Sequence, residues 1–256
     1  MRGRAAVAVG PAGLERLAQA GSAKAFLPRV HGTHPEVVFL NTAGGLTGGD
    51  RLALALDVGD GARVTGTTQT AERAYRSASG VAEVDVRLRV GAGARLDWVP
   101  QETILFDGSA LHRETEVRLE GDAEVLMVES VVLGRRAMGE TVSRLDFVDR
   151  RRVLRDGAPL WVEPLALADG ALARRGPAGL AGAQALAVIA FVARGAEDAL
   201  APVRRLLNVD GVEAGASAWD GKLVVRAMAG DPAPLRRLVT CVVRQLSGGV
   251  PRVWPV

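Results

Sequence analysis

The sequence predicts a mainly β chain, many strands packed as stacked or sandwiched sheets, with two α-helices in the C-terminal half. Three observations carry that class. Apolar and polar residues alternate with period 2 through the first half, the pattern of half-buried strands. Similar glycine-containing turns recur 32 and then 29 residues apart. Helical periodicity is absent before about residue 177 and clear after it.

Leu52, Leu54, Leu56 and Val58 open the series of strands. Val84, Val86, Leu88 and Val90 repeat the alternation with charges between them, and Thr115, Val117 and Leu119 repeat it again, so these strands face one core. Each runs into a turn of one kind: Gly59-Asp-Gly-Ala-Arg-Val64, Gly91-Ala-Gly-Ala-Arg-Leu96 and Glu120-Gly-Asp-Ala-Glu-Val125. After each turn comes a short apolar return strand, then a segment that breaks the alternation: 67–76, 100–106 and 129–140. Stacked units would line these segments along one edge. Turns of this kind also recur in all-β proteins without any repeat, so both readings stand at this point. In the second part, Leu186–Ala193 reads as a buried strand, and Glu197–Leu207 as a helix with Leu200, Val203 and Leu207 on one face. Asp220-Gly221 joins two strands as a hairpin. Asp231-Pro232 opens the second helix, whose stripe is Leu235, Leu238, Val239, Val242, Val243 and Leu246 and whose stop is Gly248-Gly249. The chain is expected to form a single domain over 1–256, with an all-β part to 176 and a β-α-β-β-α part from 177.

Composition limits the function. The 256 residues are 48% hydrophobic, enough for a large core, and no apolar run is long enough for a membrane span. A soluble, cytoplasmic protein is expected. The lone Cys241 excludes an internal disulfide framework and Cys-x-x-Cys chemistry. The net charge is only +3, and aromatic residues make up 4% of the chain, so nucleic-acid binding is not expected.

The segment Gly44-Gly45-Leu46-Thr47-Gly48-Gly49-Asp50 lacks the Gly-Lys-Ser/Thr ending of a P-loop and precedes a strand where a helix would be needed. It reads as a tight loop that holds Asp50 on a rigid turn. His31 and His34 flank Gly32 and precede Pro35, a loop context. Without thiolates, metal ligation falls to carboxylates: Asp50, Glu72, Glu102, Glu129, Glu140 and Glu163. Such oxygens hold a divalent ion weakly, which suits passage better than storage. A hydrolase using Glu102 with Glu129 or Glu140 is the enzymatic alternative, and a β-type binding module for carbohydrate or protein is the third reading. No Gly-x-Ser-x-Gly elbow supports a serine triad.

Five blocks occur in order: Asn41-Thr-Ala-Gly-Gly-Leu-Thr-Gly-Gly-Asp50, Thr67-Thr-Gln-Thr-Ala-Glu-Arg-Ala-Tyr-Arg76, Leu96-Asp-Trp-Val-Pro-Gln-Glu-Thr-Ile-Leu-Phe-Asp-Gly108, Gly134-Arg-Arg-Ala-Met-Gly-Glu140 and Val250-Pro-Arg-Val-Trp254. Together they resemble the signature of the UreD (UreH) urease accessory family, from about residue 24 to the end. The resemblance implies a mostly β fold and a non-catalytic scaffold that binds apo-urease and the accessory proteins UreF and UreG, the GTPase, while nickel passes to the urease site. It implies no tightly bound cofactor, with Ni2+ only in transit. Asp50, Glu140 and Glu163 fall on family positions and are expected to line the route, with Glu102 and Glu129 behind them. Arg76, Arg135 and Arg136 are candidates to pair with these acids. Residues 1–23 depart from the family pattern, being short and rich in Ala and Gly where a longer lead-in strand is expected.

Overall fold

The computed structural model describes residues 1–29, 34–135, 138–173, 176 and 179–254. Its strands are β1 (Arg2–Gly10), β2 (Gly13–Gly21), β3 (Ala23–Phe26), β4 (Glu36–Asn41), β5 (Arg51–Val58), β6 (Arg63–Thr68), β7 (Glu72–Ala74), β8 (Ala82–Val90), β9 (Arg95–Trp98), β10 (Thr103–Leu105), β11 (Ser109–Leu119), β12 (Glu124–Leu133), β13 (Leu145–Arg155), β14 (Ala158–Ala168), β15 (Ala185–Val192), β16 (Val212–Trp219) and β17 (Lys222–Ala229). The helices are α1 (Asp169–Ala173), α2 (Leu200–Leu206) and α3 (Pro232–Ser247), and a 3-10 turn, Ala196–Ala199, leads into α2.

Two sheets result. The first has the order β14-β13-β11-β8-β5-β1-β2; the second runs β16-β17-β15-β12-β9-β6-β4-β3, with β10 beside β12 and β7 beside β10. The repeat read from the turns is a physical one. In the first sheet β5, β8 and β11 are parallel neighbours, with Leu52 opposite Val84 and Val84 opposite Arg113, the same offsets of 32 and 29 residues that separate the turns. In the second sheet the return strands β6, β9 and β12 are parallel too. Each unit is therefore strand, turn and return strand, and a parallel ladder follows because every unit starts again at the same end.

The turns stack as well. Each closes by the same backbone bond, Ala62, Ala94 and Ala123 donating to Gly59, Gly91 and Glu120 at 3.0–3.1 Å. Asp60 accepts from the Ala92 N–H at 3.0 Å and Asp122 from the Gly93 N–H at 2.8 Å, tying neighbouring units. Gly61 and Gly93 hold φ of 68° and 67°, a left-handed conformation that explains glycine at that turn position.

The segments after the return strands do line one edge, as Glu72, Thr103 and Val131 stand in register across β7, β10 and β12. One boundary differs from expectation. Glu129 does not begin the irregular segment but lies inside β12, which continues to Leu133. The parallel pairing of β12 with β9 and its antiparallel pairing with β15 extend the strand further than local alternation indicates.

A large apolar cluster fills the space between the sheets, with Leu56, Leu96, Trp98, Leu119 and Phe147 all nearly inaccessible. A second cluster lies beneath α2 and α3 on the far side of the second sheet. There Leu235, Leu238, Val239, Val242 and Val243 bury the predicted face of α3, while Leu246 is half-buried. Asp231 caps α3 by accepting from Ala233 N–H at 2.8 Å. The other predicted helix is shorter than expected, because residues 196–199 form a 3-10 turn. The short α1 was not anticipated. Residues 1–23, expected to depart from the family pattern, form the hairpin β1–β2, whose register shifts between Ala8 and Val9, and enter β3, with β1 parallel to β5. No described helix is long and apolar enough to cross a membrane.

Candidate functional site

Asp50 ends the glycine loop immediately before β5 and is buried. Its carboxylate accepts from Thr47 N–H at 2.9 Å and from the Met1 ammonium. Burial alone would raise its pKa, but these donors and the ammonium charge hold it below the ordinary value. The loop is glycine-rich for steric reasons: a Cβ on Gly48 would come within 2.1 Å of both Ser77 Oγ and Ser79 O, and one on Gly45 within 2.3 Å of the Tyr75 ring. The first and second signature blocks also join backbone to backbone, Leu46 N–H donating to Arg73 O at 2.7 Å and Tyr75 N–H to Leu46 O at 2.8 Å.

Glu140 lies at the same end of the first sheet. It accepts from Asp107 N–H at 3.1 Å, from Arg135 N–H at 3.0 Å and from Arg135 Nε at 2.9 Å. Burial opposes its ionisation, and these donors overcome that and lower its pKa. Asp107 is latched in turn by the N–H groups of Ser143 and Arg144, which, with the Ser143 hydroxyl, hold its carboxyl at about 2. Arg76 pairs with Asp107 at 3.0 Å and Arg135 with Glu140, so the second, third and fourth blocks form one latch. Arg136 lies outside the described residues, as do His31 and Gly32. His34 approaches Thr65 Oγ1 at 3.2 Å.

Glu129 is in the space between the sheets. Its carboxylate meets Arg113 Nη1 at 2.8 Å and Thr115 Oγ1 at 3.3 Å. Arg113 also forks onto Asp149 at 3.0 and 2.7 Å and donates to Thr103 Oγ1 at 3.0 Å. Arg151 Nε stands 3.4 Å from Asp149. All these residues are buried. Burial pushes the Glu129 carboxyl up, only partly offset by Arg113, whereas the paired arginines outweigh burial at Asp149 and hold it down.

Arg151 is opposite Glu163 in the β13–β14 register, and Glu163 receives the guanidinium of Arg226 from β17 of the second sheet. Beside this pair is a cavity of about 460 Å³ lined by Arg151, Glu163, Leu165, Leu186, Val188 and Met228, among others. Glu129, Arg113, Asp149, Arg151, Glu163 and Arg226 thus make one line of charge from the core to that cavity.

Glu102 does not join it. It faces α3, where Arg236 Nη1 approaches at 3.2 Å. Glu72 sits near the glycine loop, accepting from Asn41 Nδ2 at 3.3 Å and Arg73 N–H at 3.1 Å; burial pushes its carboxyl up. The structure therefore brings Asp50 and Glu140 to one end of the first sheet, places Glu129 and Glu163 on the interior line and sets Glu102 apart. The carboxylate pairs considered for a hydrolase do not form, since Glu102 meets a helix outside the second sheet while Glu129 meets Arg113 between the sheets. No group of three metal-ligating His, Cys, Asp or Glu side chains is assembled among the described residues.

Arg113, Asp149 and Arg151 were missed from the sequence, yet they left a signal. They occupy the core-facing phase of their strands: Leu111, Arg113, Thr115 and Val117 in β11, and Phe147, Asp149, Arg151 and Val153 in β13. A charge in that phase must be paired inside the protein.

The closing block packs on the others. Trp254 is buried and its Nε1 donates to Thr67 Oγ1 at 3.3 Å, and Thr67 Oγ1 donates to Val99 O at 2.8 Å.

Comparison with known proteins gives the lineage. The family model described as UreD urease accessory protein matches residues 2–255. A urease accessory protein UreD of Cereibacter sphaeroides is 61% identical, over 96% of this chain and 90% of its own. Those of Jannaschia sp. and Paracoccus denitrificans are 52% and 49% identical over the whole of this chain, covering 96% and 92% of theirs. A match of this extent, on top of five signature blocks that pack against one another, places the chain in the UreD family of urease accessory proteins.

Proposed function

We propose that the protein is a non-catalytic scaffold of urease maturation in the cytoplasm, which binds apo-urease together with UreF- and UreG-type proteins and supports nickel insertion. The observation that carries the nickel part is the line of charge from Glu129 to Glu163, a polar seam between two otherwise apolar sheet faces. A divalent ion loses much of its hydration in such an interior, and carboxylates lower that cost without caging the ion. Arg113 and Arg226 keep these acids paired when no ion is present. Asp50 and Glu140, fixed at one end of the first sheet, are the further oxygen donors of this reading, and Glu102 plays no part in it. A hydrolase is disfavoured because each candidate carboxylate is held by arginine, by the Met1 ammonium or by backbone N–H donors, and Glu102 and Glu129 lie on opposite sides of the second sheet.

The test is co-expression of Glu163→Gln and Asp50→Asn variants with urease and the other maturation proteins. Both variants are expected to co-purify with their partners while urease gains severalfold less nickel and activity. Full nickel content with both changes present would sink the route.

A further inference from the structure

Helices α2 and α3 carry five arginines, Arg204, Arg205, Arg236, Arg237 and Arg244, and no carboxylate, in a chain whose net charge is only +3. Their placement follows from packing. Because α3 buries Leu235, Leu238, Val239, Val242 and Val243 against the second sheet, Ala233, Arg237, Cys241 and Arg244 form the opposite, exposed stripe. Helix α2 packs beside it with Arg204 and Arg205 exposed.

Ion pairs are frequent on the first sheet, although Arg4 and Arg150 there, like the arginines of this face, form none among the described residues. On the outer face of the first sheet, Arg87 meets Asp85 and Glu114, Arg152 meets Glu114 and Glu116, and Arg89 meets Glu120. Arg205, Arg237 and Arg244 form no ion pair among the described residues. Of the acids that flank the helices, Glu102 pairs with Arg236 of α3, Glu197 accepts from the Gly221 N–H and Asp231 caps the N-terminus of α3, while Asp198 and Asp210 stand exposed beside α2.

A cleft of about 240 Å³ opens at the start of α3, walled by Pro100, Val131, Leu235, Val239 and Trp254 with Arg236 among its lining residues. An apolar recess edged by the Arg236–Glu102 pair, on a helix whose exposed stripe carries the unpaired Arg237 and Arg244, matches the anatomy of a protein interface, an anchor pocket with a charged rim. A nucleic-acid backbone has no side chain to fill such a recess, and neither helix carries an aromatic residue on which a base could stack.

We propose that the α2–α3 face docks an acidic surface of a protein partner, which places one apolar side chain in the cleft beside Leu235 and Trp254. The partner is sought among the urease-maturation proteins of the proposed function, and the inference rests on that reading to this extent alone.

Cys241, the single cysteine, stands exposed within the stripe and serves as the probe. Its maleimide labelling is measured on the full chain alone and in separate complexes with the cognate UreF-type protein, the UreG-type GTPase and apo-urease. In one complex the labelling rate is expected to fall about tenfold or more. The triple variant Arg205→Glu, Arg237→Glu, Arg244→Glu is expected to weaken that same partner about tenfold or more and to flatten its salt dependence. Ala233→Trp, on an exposed cleft-lining residue, tests the recess without touching the core, and circular dichroism checks that each variant folds. If every partner binds the triple variant as tightly as the wild type, and Cys241 reacts at its free rate in each complex, the docking face is wrong while the scaffold role stands. If no partner binds the wild-type chain, both fail. Binding of duplex DNA that the triple variant abolishes, with protein binding unchanged, would assign the face to nucleic acid and overturn the proposal.

Discussion

Arg113 is the residue on which the interior charge depends. It pairs with both Glu129 and Asp149 where all three are buried, so its loss leaves Glu129 without a cationic partner and Asp149 with Arg151 alone. Arg113→Met is therefore expected to destabilise the protein by about 3–5 kcal/mol, read from chemical denaturation. Asp107 works at the surface by hydrogen bonding. Its folded pKa of about 2 lies below the usual carboxylate value, so its contribution is present above about pH 4 and is lost as pH falls toward 2. Asp107→Asn is expected to lower the melting temperature at neutral pH and to flatten its decline between pH 4 and 2. An unchanged acid limb would show that the latch contributes little. Residue identity was readable where chemistry is local, as at Asp231, whose role follows from the Pro232 beside it. It was not readable at Glu129, because the strand holding that residue is set by neighbours in β9 and β15.

At the scale of elements, α3 shows how a predicted helix acquires tertiary support. Its stripe and both ends were legible in the sequence, and Asp231 and Gly248 occupy the cap positions expected of them. What fixes its C-terminus came from elsewhere in the chain: Arg95 Nη2 donates to Leu246 O at 2.7 Å and Arg63 Nη2 to Ser247 O at 3.1 Å, two arginines on consecutive return strands. Positive charge there also opposes the negative end of the helix dipole. Arg63→Leu is expected to cost up to about 1 kcal/mol. Arg95→Leu should cost several times more, because Arg95 hydrogen-bonds Asp97, a carboxylate that is 1% exposed, at 3.0 Å, whereas Arg63 stands 3.7 Å from it. Equal melting temperatures for the two variants would contradict this ranking. The 3-10 start of α2 was not legible, since spacing of apolar residues does not distinguish a tight turn from a full helical one.

For the whole molecule, the period-2 pattern determined that the chain is β-rich and which side of each strand faces the core, while the recurring turns raised a repeat that the strand pairing then established. These properties reside in short windows: alternation assigns faces, and glycine or aspartate in a turn fixes where a strand ends. The signature blocks likewise determined the family. Tertiary structure alone decided that the strands pair in parallel with offsets of 32 and 29 residues, that charges at the core phase of β11 and β13 meet Glu129, and that Glu163 is held by an arginine of the other sheet. It also left Arg205, Arg237 and Arg244 of α2 and α3 exposed. The physical reason is that pairing energy arises between residues 14 to 63 positions apart, as for Thr115 with Glu129 and Arg226 with Glu163. A local pattern records that a side chain must be buried. Which charge it meets there is set only when the two sheets close.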